Sequence, residues 1–174
     1  MALAETALLS QARTAYERGR VVAGLRSAIV VAPMAAASWV VCDRPAATAA
    51  GAILLATVVT ACVWRGGTWA RGARLGLWAG LPPLVLPLSA LLAGHVCGAS
   101  FCAYYPGLCL VGGVLGGALV TWLAPRHAAS PAAAAAVAIL AGTLGCLVAG
   151  VTGIVVLVGG LILAASPALV AQRA

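Results

Sequence analysis

The sequence contains no lysine, a single phenylalanine (Phe101) and only three acids, Glu5, Glu17 and Asp43, and charged residues make up 7% of its 174 positions. So little charge excludes an ordinary soluble domain, in which about a quarter of residues are charged. It also excludes most chemistry done in water. A triad hydrolase needs a nucleophile, a base and an orienting acid, yet the only aspartate, Asp43, stands in a turn beside Arg44. A thiol oxidoreductase uses a C-x-x-C pair, and the six cysteines include none. An ion-coupled transporter keeps ionisable groups inside its spans, and here none lies near the middle of an apolar run. The chain is therefore expected not to be an enzyme and to need no cofactor. No signal peptide is expected either, because the first 24 residues mix charges with small residues instead of placing an apolar core behind a basic start.

What is abundant is apolar. Hydrophobic residues make up 64% of the chain and the mean hydropathy is +1.12, which identifies an all-α, polytopic membrane protein. The runs predict six transmembrane helices, at about 25–41, 46–64, 75–94 and 105–123, with two more inside 132–171. That last stretch carries no charge and is about twice the ~20 residues one span needs. Gly150 with Thr152 and Gly153 is the expected turn between its two helices, and Ser130-Pro131 is the expected start of the first. The organisation reads as a cytoplasmic amphipathic segment (1–24), a six-helix domain (25–171) and a short cytoplasmic tail (172–174). Arg65 to Arg74, with two glycine signals, reads as a loop.

Charge orients the bundle. With the N-terminus inside, Arg13, Arg18, Arg20, Arg26, Arg65, Arg71, Arg74, Arg126 and Arg173 fall on the inner side and only Arg44 on the outer, so the N- and C-termini are both expected to be cytoplasmic. The formal charge of +7 then serves orientation and contact with the lipid bilayer, not direct binding of nucleic acid.

On this layout Cys42, Cys97, Cys102, Cys109 and Cys146 all lie at or near outer helix ends, and Cys62 lies toward the cytoplasm. In a bacterial inner membrane those five face an oxidising compartment. Structural disulfides are one reading, with Cys97 bridging Cys102 locally or Cys109 reaching Cys146. A second is redox sensing through an exposed turn that admits oxidant to the sulfurs. A third is a metal site of His95, Cys97, Cys102 and Cys109, which have the right donor atoms but not paired C-x-x-C spacing.

Three further features bear on partners and movement. Leu8, Ala12, Ala15 and Tyr16 share one helical face while Arg13, Glu17 and Arg20 lie elsewhere on the wheel, so Leu8, Arg13, Tyr16, Glu17 and Arg20 are the candidate partner-binding residues, with Gly19 and Gly24 loosening the join to the first span. Pro82, Pro83 and Pro87 are hinge candidates, because each proline removes a backbone donor and crowds the preceding turn. A bend is expected between about Leu77 and Leu88, and the broken helix is also the lining that a passive channel would use. Gly112, Gly113, Gly116 and Gly117 offer a close-packing face, for helices of the same chain or for an oligomer.

Taken together, six spans in about 150 residues, a short N-terminal helix, arginine-rich inner loops and outer cysteines on the fourth and fifth helices resemble the small six-helix membrane anti-sigma factors of the NrsF and CarR kind. The resemblance is one of layout over the whole chain. Within it, Cys109 and Cys146 match the paired outer cysteines of NrsF-type proteins. It implies that residues 1–24, with the 65–74 segment, hold a cytoplasmic sigma factor, and that a change at the outer cysteines releases it. The alternative function is passive transport, or a structural role with structural disulfides. Reporter fusions after residues 20, 70, 127 and 174 should read cytoplasmic and fusions near 43, 100 and 151 external, and an external C-terminus would overturn both the sixth span and the orientation.

Overall fold

The computed structural model describes residues 2–42, 44–97 and 105–171, and side-chain surroundings for 11–40, 42, 44–90, 92, 106–147 and 149–166. Among these residues every element is helical: α1 (Ala2–Ile29), α2 (Val31–Val41), α3 (Pro45–Arg65), α4 (Gly67–Ala79), α5 (Leu81–Cys97), α6 (Tyr105–Leu123), α7 (Pro131–Cys146), a 3-10 turn (Leu147–Ala149) and α8 (Gly150–Ala171). Three segments, Gln11–Val40, Pro45–Arg65 and Pro106–Leu123, are long and apolar enough to cross a bilayer. Of the other apolar helices, α4 and α5 are divided at Gly80 and α7 has 16 residues, while α8 runs for 22.

The first helix departs from expectation. It runs through Gly19 and Gly24 without interruption and is broken only at Val30, which keeps helical dihedrals (φ −64°, ψ −23°). Gly24 is no hinge, since a Cβ there would stand 3.0 Å from Thr60 Cγ2, so the glycine lets α1 approach α3. The break follows from Pro33, which has no N–H for the Ile29 carbonyl.

The same construction recurs between α4 and α5. Gly80 holds φ −82° and ψ −12°, still right-handed, and Pro83 stands three residues beyond it as Pro33 does beyond Val30. The expected bend between Leu77 and Leu88 therefore falls at Gly80, and Pro82 and Pro83 lie in the first turn of α5, where missing N–H groups cost least. Only Pro87 lies inside the helix.

The segment expected as a loop at 65–74 is instead almost wholly helical. The turn is confined to Gly66 and Gly67, with φ of +74° and +55°, a left-handed conformation that favours glycine. Gly66 N–H closes α3 by donating to the Cys62 and Val63 carbonyls, both at 3.1 Å. Released from the loop, Gly72, Gly76 and Gly80 form an i, i+4, i+8 stripe along α4 that lies on α7. A Cβ at Gly72 would stand 2.5 Å from the Ser130 carbonyl oxygen, and one at Gly80 2.5 Å from Ala141 Cβ.

Helix α7 is the centre of the bundle. Its start is as expected: Ser130 caps it by accepting from Ala133 N–H at 3.4 Å, with Pro131 in the first position. Its face of alanine, valine and glycine is buried from Ala133 to Cys146. One core cluster joins α7 to α2, α3, α4 and α5 through Met34, Leu55, Val59, Leu77, Leu84, Val137 and Leu144. A second joins it to α4, α6 and α8 through Ala79, Val120, Ala134, Ala138 and Leu161. The turn to α8 comes at Leu147–Ala149 and Gly150 (φ +66°), slightly earlier than expected.

The four glycines of α6 divide between two neighbours in the same chain. Gly112 and Gly116 face α5 and α4, at Pro83 and the Ala79 carbonyl, while Gly113 and Gly117 face Leu157 and Leu161 of α8. All four lie against helices of the same chain. Because a Cβ on Gly145 would stand 2.6 Å from the Leu84 carbonyl oxygen, Gly145→Ala should destabilise the bundle by about 1–3 kcal/mol, the range for overpacking. Gly159→Ala, which meets nothing within 4 Å, should be neutral or stabilising, and thermal unfolding in detergent compares the two.

Candidate functional site

The cysteines were expected to gather at one end, and the structure brings two of them together. Cys109, in the first turns of α6, and Cys146, the last residue of α7, are both fully buried and form a cluster with Leu157 of α8. Their side chains are within hydrogen-bonding reach of each other. The proximity has a local cause. Gly153 brings α8 down onto the pair, since a Cβ there would stand 3.3 Å from Cys109 Sγ and 3.1 Å from the Cys146 carbonyl oxygen.

The third partner is the broken helix. Pro87 has no N–H, so the Pro83 carbonyl lacks the donor that helix geometry would give it. Cys146 Sγ lies 4.0 Å from that oxygen, a long, weak S–H···O contact. Pro83 itself is held on both sides: Cβ atoms on Gly112 and Gly142 would stand 2.6 Å from its Cα and 3.0 Å from its ring. Pro83 and Pro87 are fully buried. The place at which the break could have lined a channel is thus filled by α6 and α7.

Both thiols are enclosed, while most of the turn expected to admit oxidant lies outside the described residues. Thiolate character and exposure govern cysteine reactivity, and this pair lacks exposure. Cys42 is separate from it. It caps α2, with its N–H donating to the Ser38 carbonyl at 2.8 Å, and it is buried and free, with burial pushing its thiol above the ordinary cysteine value. Cys62 is a free, buried core residue of α3. Cys102 and the side chains of His95 and Cys97 lie outside the described residues. Of the proposed metal donors only Cys109 is described, and its neighbour is Cys146. No group of three or more His, Cys, Asp or Glu side chains suited to a metal occurs among the described residues.

The candidate partner face is on α1. Arg13 Nε pairs with Glu17 Oε1 at 3.3 Å, with the two side chains 83% and 58% exposed, so the pair adds little stability. Arg20 lies over the Tyr16 ring at 5.4 Å. Arg13, Tyr16, Glu17 and Arg20 therefore occupy consecutive turns of one exposed helix, and the side chain of Leu8 lies outside the described residues.

The two ends of the bundle differ. At one end Ser130 N–H donates to the Thr68 carbonyl at 2.9 Å, and a Cβ on Gly66 would stand 3.7 Å from a terminal nitrogen of Arg20. Arg65 lies over Trp69 and Arg126 over Trp122, at 4.9 and 4.0 Å. At the other end, a Cβ on Gly150 would stand 4.0 Å from an Arg44 terminal nitrogen. Sequence reasoning missed the α4 stripe and the role of Pro83 as the residue between α6 and α7. The i, i+4, i+8 spacing of Gly72, Gly76 and Gly80 was the available signal for the first.

In a Cys97→Ser/Cys102→Ser background, Cys109 and Cys146 should resist maleimide until the protein unfolds. Cys42 should label slowly, and because its thiol is pushed up, its rate should still be rising above about pH 9, where an ordinary cysteine has begun to level off. Mass spectrometry of alkylated peptides reads both outcomes. No protein-family model, curated protein or solved structure matches this chain.

Proposed function

We propose that this chain is a non-catalytic regulatory protein of a bacterial inner membrane that binds a cytoplasmic protein, a sigma factor on the layout resemblance, and couples that binding to the thiol-bearing opposite end. The observation that carries this reading is the continuity of α1. One unbroken helix bears the exposed Arg13, Tyr16 and Glu17 and the half-buried Arg20, and then packs through Gly24 against Thr60 of α3. A partner held on the exposed turns is therefore mechanically joined to the bundle.

In this reading six crossings are made by α1 with α2, by α3, by α4 with α5, and by α6, α7 and α8, with both termini cytoplasmic. The arginine distribution supports it, as do the Thr68–Ser130 bond at one end and the nearness of Arg44 to Gly150 at the other. Outward-facing apolar side chains such as Val40 (85% exposed) and Leu163 (70%) favour a lipid surround, since a soluble protein rarely exposes a large continuous apolar surface.

The signal in this reading acts on Cys109 and Cys146. Oxidation to a disulfide, by a small diffusible oxidant that enters where a bulky maleimide does not, would release two protons and pass two electrons to that oxidant, and would replace the S–H contact with the Pro83 carbonyl. Helices α5, α6 and α7 meet there, so the change would be felt where α4 and α5 join. A link of this kind requires two alternative packings of those helices.

Affinity purification of the full-length protein from solubilised membranes of its host should recover a sigma factor, identified by mass spectrometry. Recovery should fall at least tenfold with Arg13→Glu/Tyr16→Ala/Arg20→Glu, as loss of interface hot spots of about 2 kcal/mol requires. Thiol oxidant should alter recovery for the wild type and not for Cys109→Ser/Cys146→Ser. Recovery indifferent to the first variant refutes the docking role, and an oxidant response that survives the second refutes the sensing role.

A further inference from the structure

The two kinked helices lie beside each other, and between them is a groove of about 320 Å³, at the lower end of the range for small-molecule sites, roughly 300–1,000 Å³. Its lining comes from one stripe of each. Ser27, Val30 and Met34 follow at i, i+3 and i+7 along α1 and α2, while Arg74, Trp78 and Leu81 follow at i, i+4 and i+7 along α4 and α5. Both interruptions, Val30 and Gly80, fall within this length.

The groove is polarised along its axis. Each strand of lining begins with its polar residue, Ser27 or Arg74, and ends seven residues later with Met34 or Leu81, about 10 Å away at 1.5 Å per residue. Met34 is buried along the floor, while Val30 and Trp78 (71% exposed) form open walls. The Ser27 hydroxyl donates to the Ala23 carbonyl at 3.0 Å, which leaves its oxygen free to accept. Glu17 is the one acid whose side chain is among those described, and it is paired with Arg13, so the charge of Arg74 meets no carboxylate among the described residues. α4 and α5 together cover about 31 residues, some 46 Å. That exceeds a ~30 Å hydrocarbon core and puts the Arg74 backbone, about 10 Å from the Gly67 end, close to the core boundary, from which its long side chain reaches the headgroups.

We infer that this groove binds one anionic phospholipid, with its phosphate on the Arg74 guanidinium and an acyl chain laid along Val30, Trp78, Met34 and Leu81. An arginine matches phosphate geometry with two parallel donors. The apolar end excludes a free phosphate or a hydrophilic phosphate ester as the occupant, because neither gains from covering Met34 and Leu81. The inference rests on the membrane placement proposed above, and the experiment separates the failure of one from the failure of the other.

The test uses the full-length protein in phosphatidylcholine vesicles containing increasing mole fractions of either phosphatidylglycerol or phosphatidylcholine brominated along the acyl chain. Bromine quenches nearby indoles, and the difference between wild type and Trp78→Phe isolates the Trp78 contribution. Brominated phosphatidylglycerol should quench Trp78 at about fivefold lower mole fraction than brominated phosphatidylcholine, the ratio expected from about 1 kcal/mol for one arginine near an anionic lipid. Arg74→Gln should abolish that preference, and Arg71→Gln, on the same helix but outside the groove, should retain it. Equal quenching of Trp78 by the two lipids overturns the site while leaving the membrane placement intact, as does a preference that survives Arg74→Gln or is lost equally in Arg71→Gln. Absence of quenching of any tryptophan by either lipid overturns the membrane placement itself.

Discussion

Close backbone approach around α7 is the constraint on which the remainder of the bundle depends. In hydrocarbon, helices gain nothing from hiding leucine from water, so they associate through dispersion contacts that require backbones to come near. Helix α7 meets this requirement with alanine and glycine along its buried face, and its neighbours answer with glycine of their own. Gly72, Gly76 and Gly80 of α4 lie against its backbone, and Gly142 and Gly145 receive Pro83 and Leu84 of α5. Larger side chains at these positions would hold the helices apart and separate both core clusters.

Two proline-induced breaks shape what this packing leaves over. At Val30 and at Gly80 the backbone remains right-handed, so each is a kink and not a loop, and the chain keeps its direction across the break. On the inner side of the second kink Pro83 is enclosed by α6 and α7, and its carbonyl is approached by Cys146. On the outer side the kinks leave an apolar groove with arginine at one end. The same covalent feature, a missing N–H, thus yields a tight junction on one face and a recess on the other.

The thiol pair and the exposed turns of α1 stand at opposite ends of this construction. Cys109 and Cys146 bridge α6 and α7, two helices that also grip α5 through Pro83. Because packed helices move between discrete arrangements and do not deform continuously, a change in the covalent state of such a junction would act on whole helices. α1 would follow through its contact with α3.

The sequence by itself determined the helical class, the apolar character, the charge asymmetry and the start of α7, because composition, span length and the Ser130-Pro131 pair act locally or additively. It also marked Cys109 and Cys146, through their positions at helix ends. Tertiary structure alone decided their enclosure, because Gly153 and Pro83 come from helices distant in sequence. It decided that Gly24 and Gly72 serve close packing and not flexibility: a glycine is compatible with either, and only the neighbouring helix selects between them. It likewise split the four glycines of α6 between two neighbours, since a pattern of small residues specifies that something approaches closely but not what. The groove was illegible for the same reason. Ser27 and Arg74 are ordinary residues of two separate helices until packing places their kinks side by side.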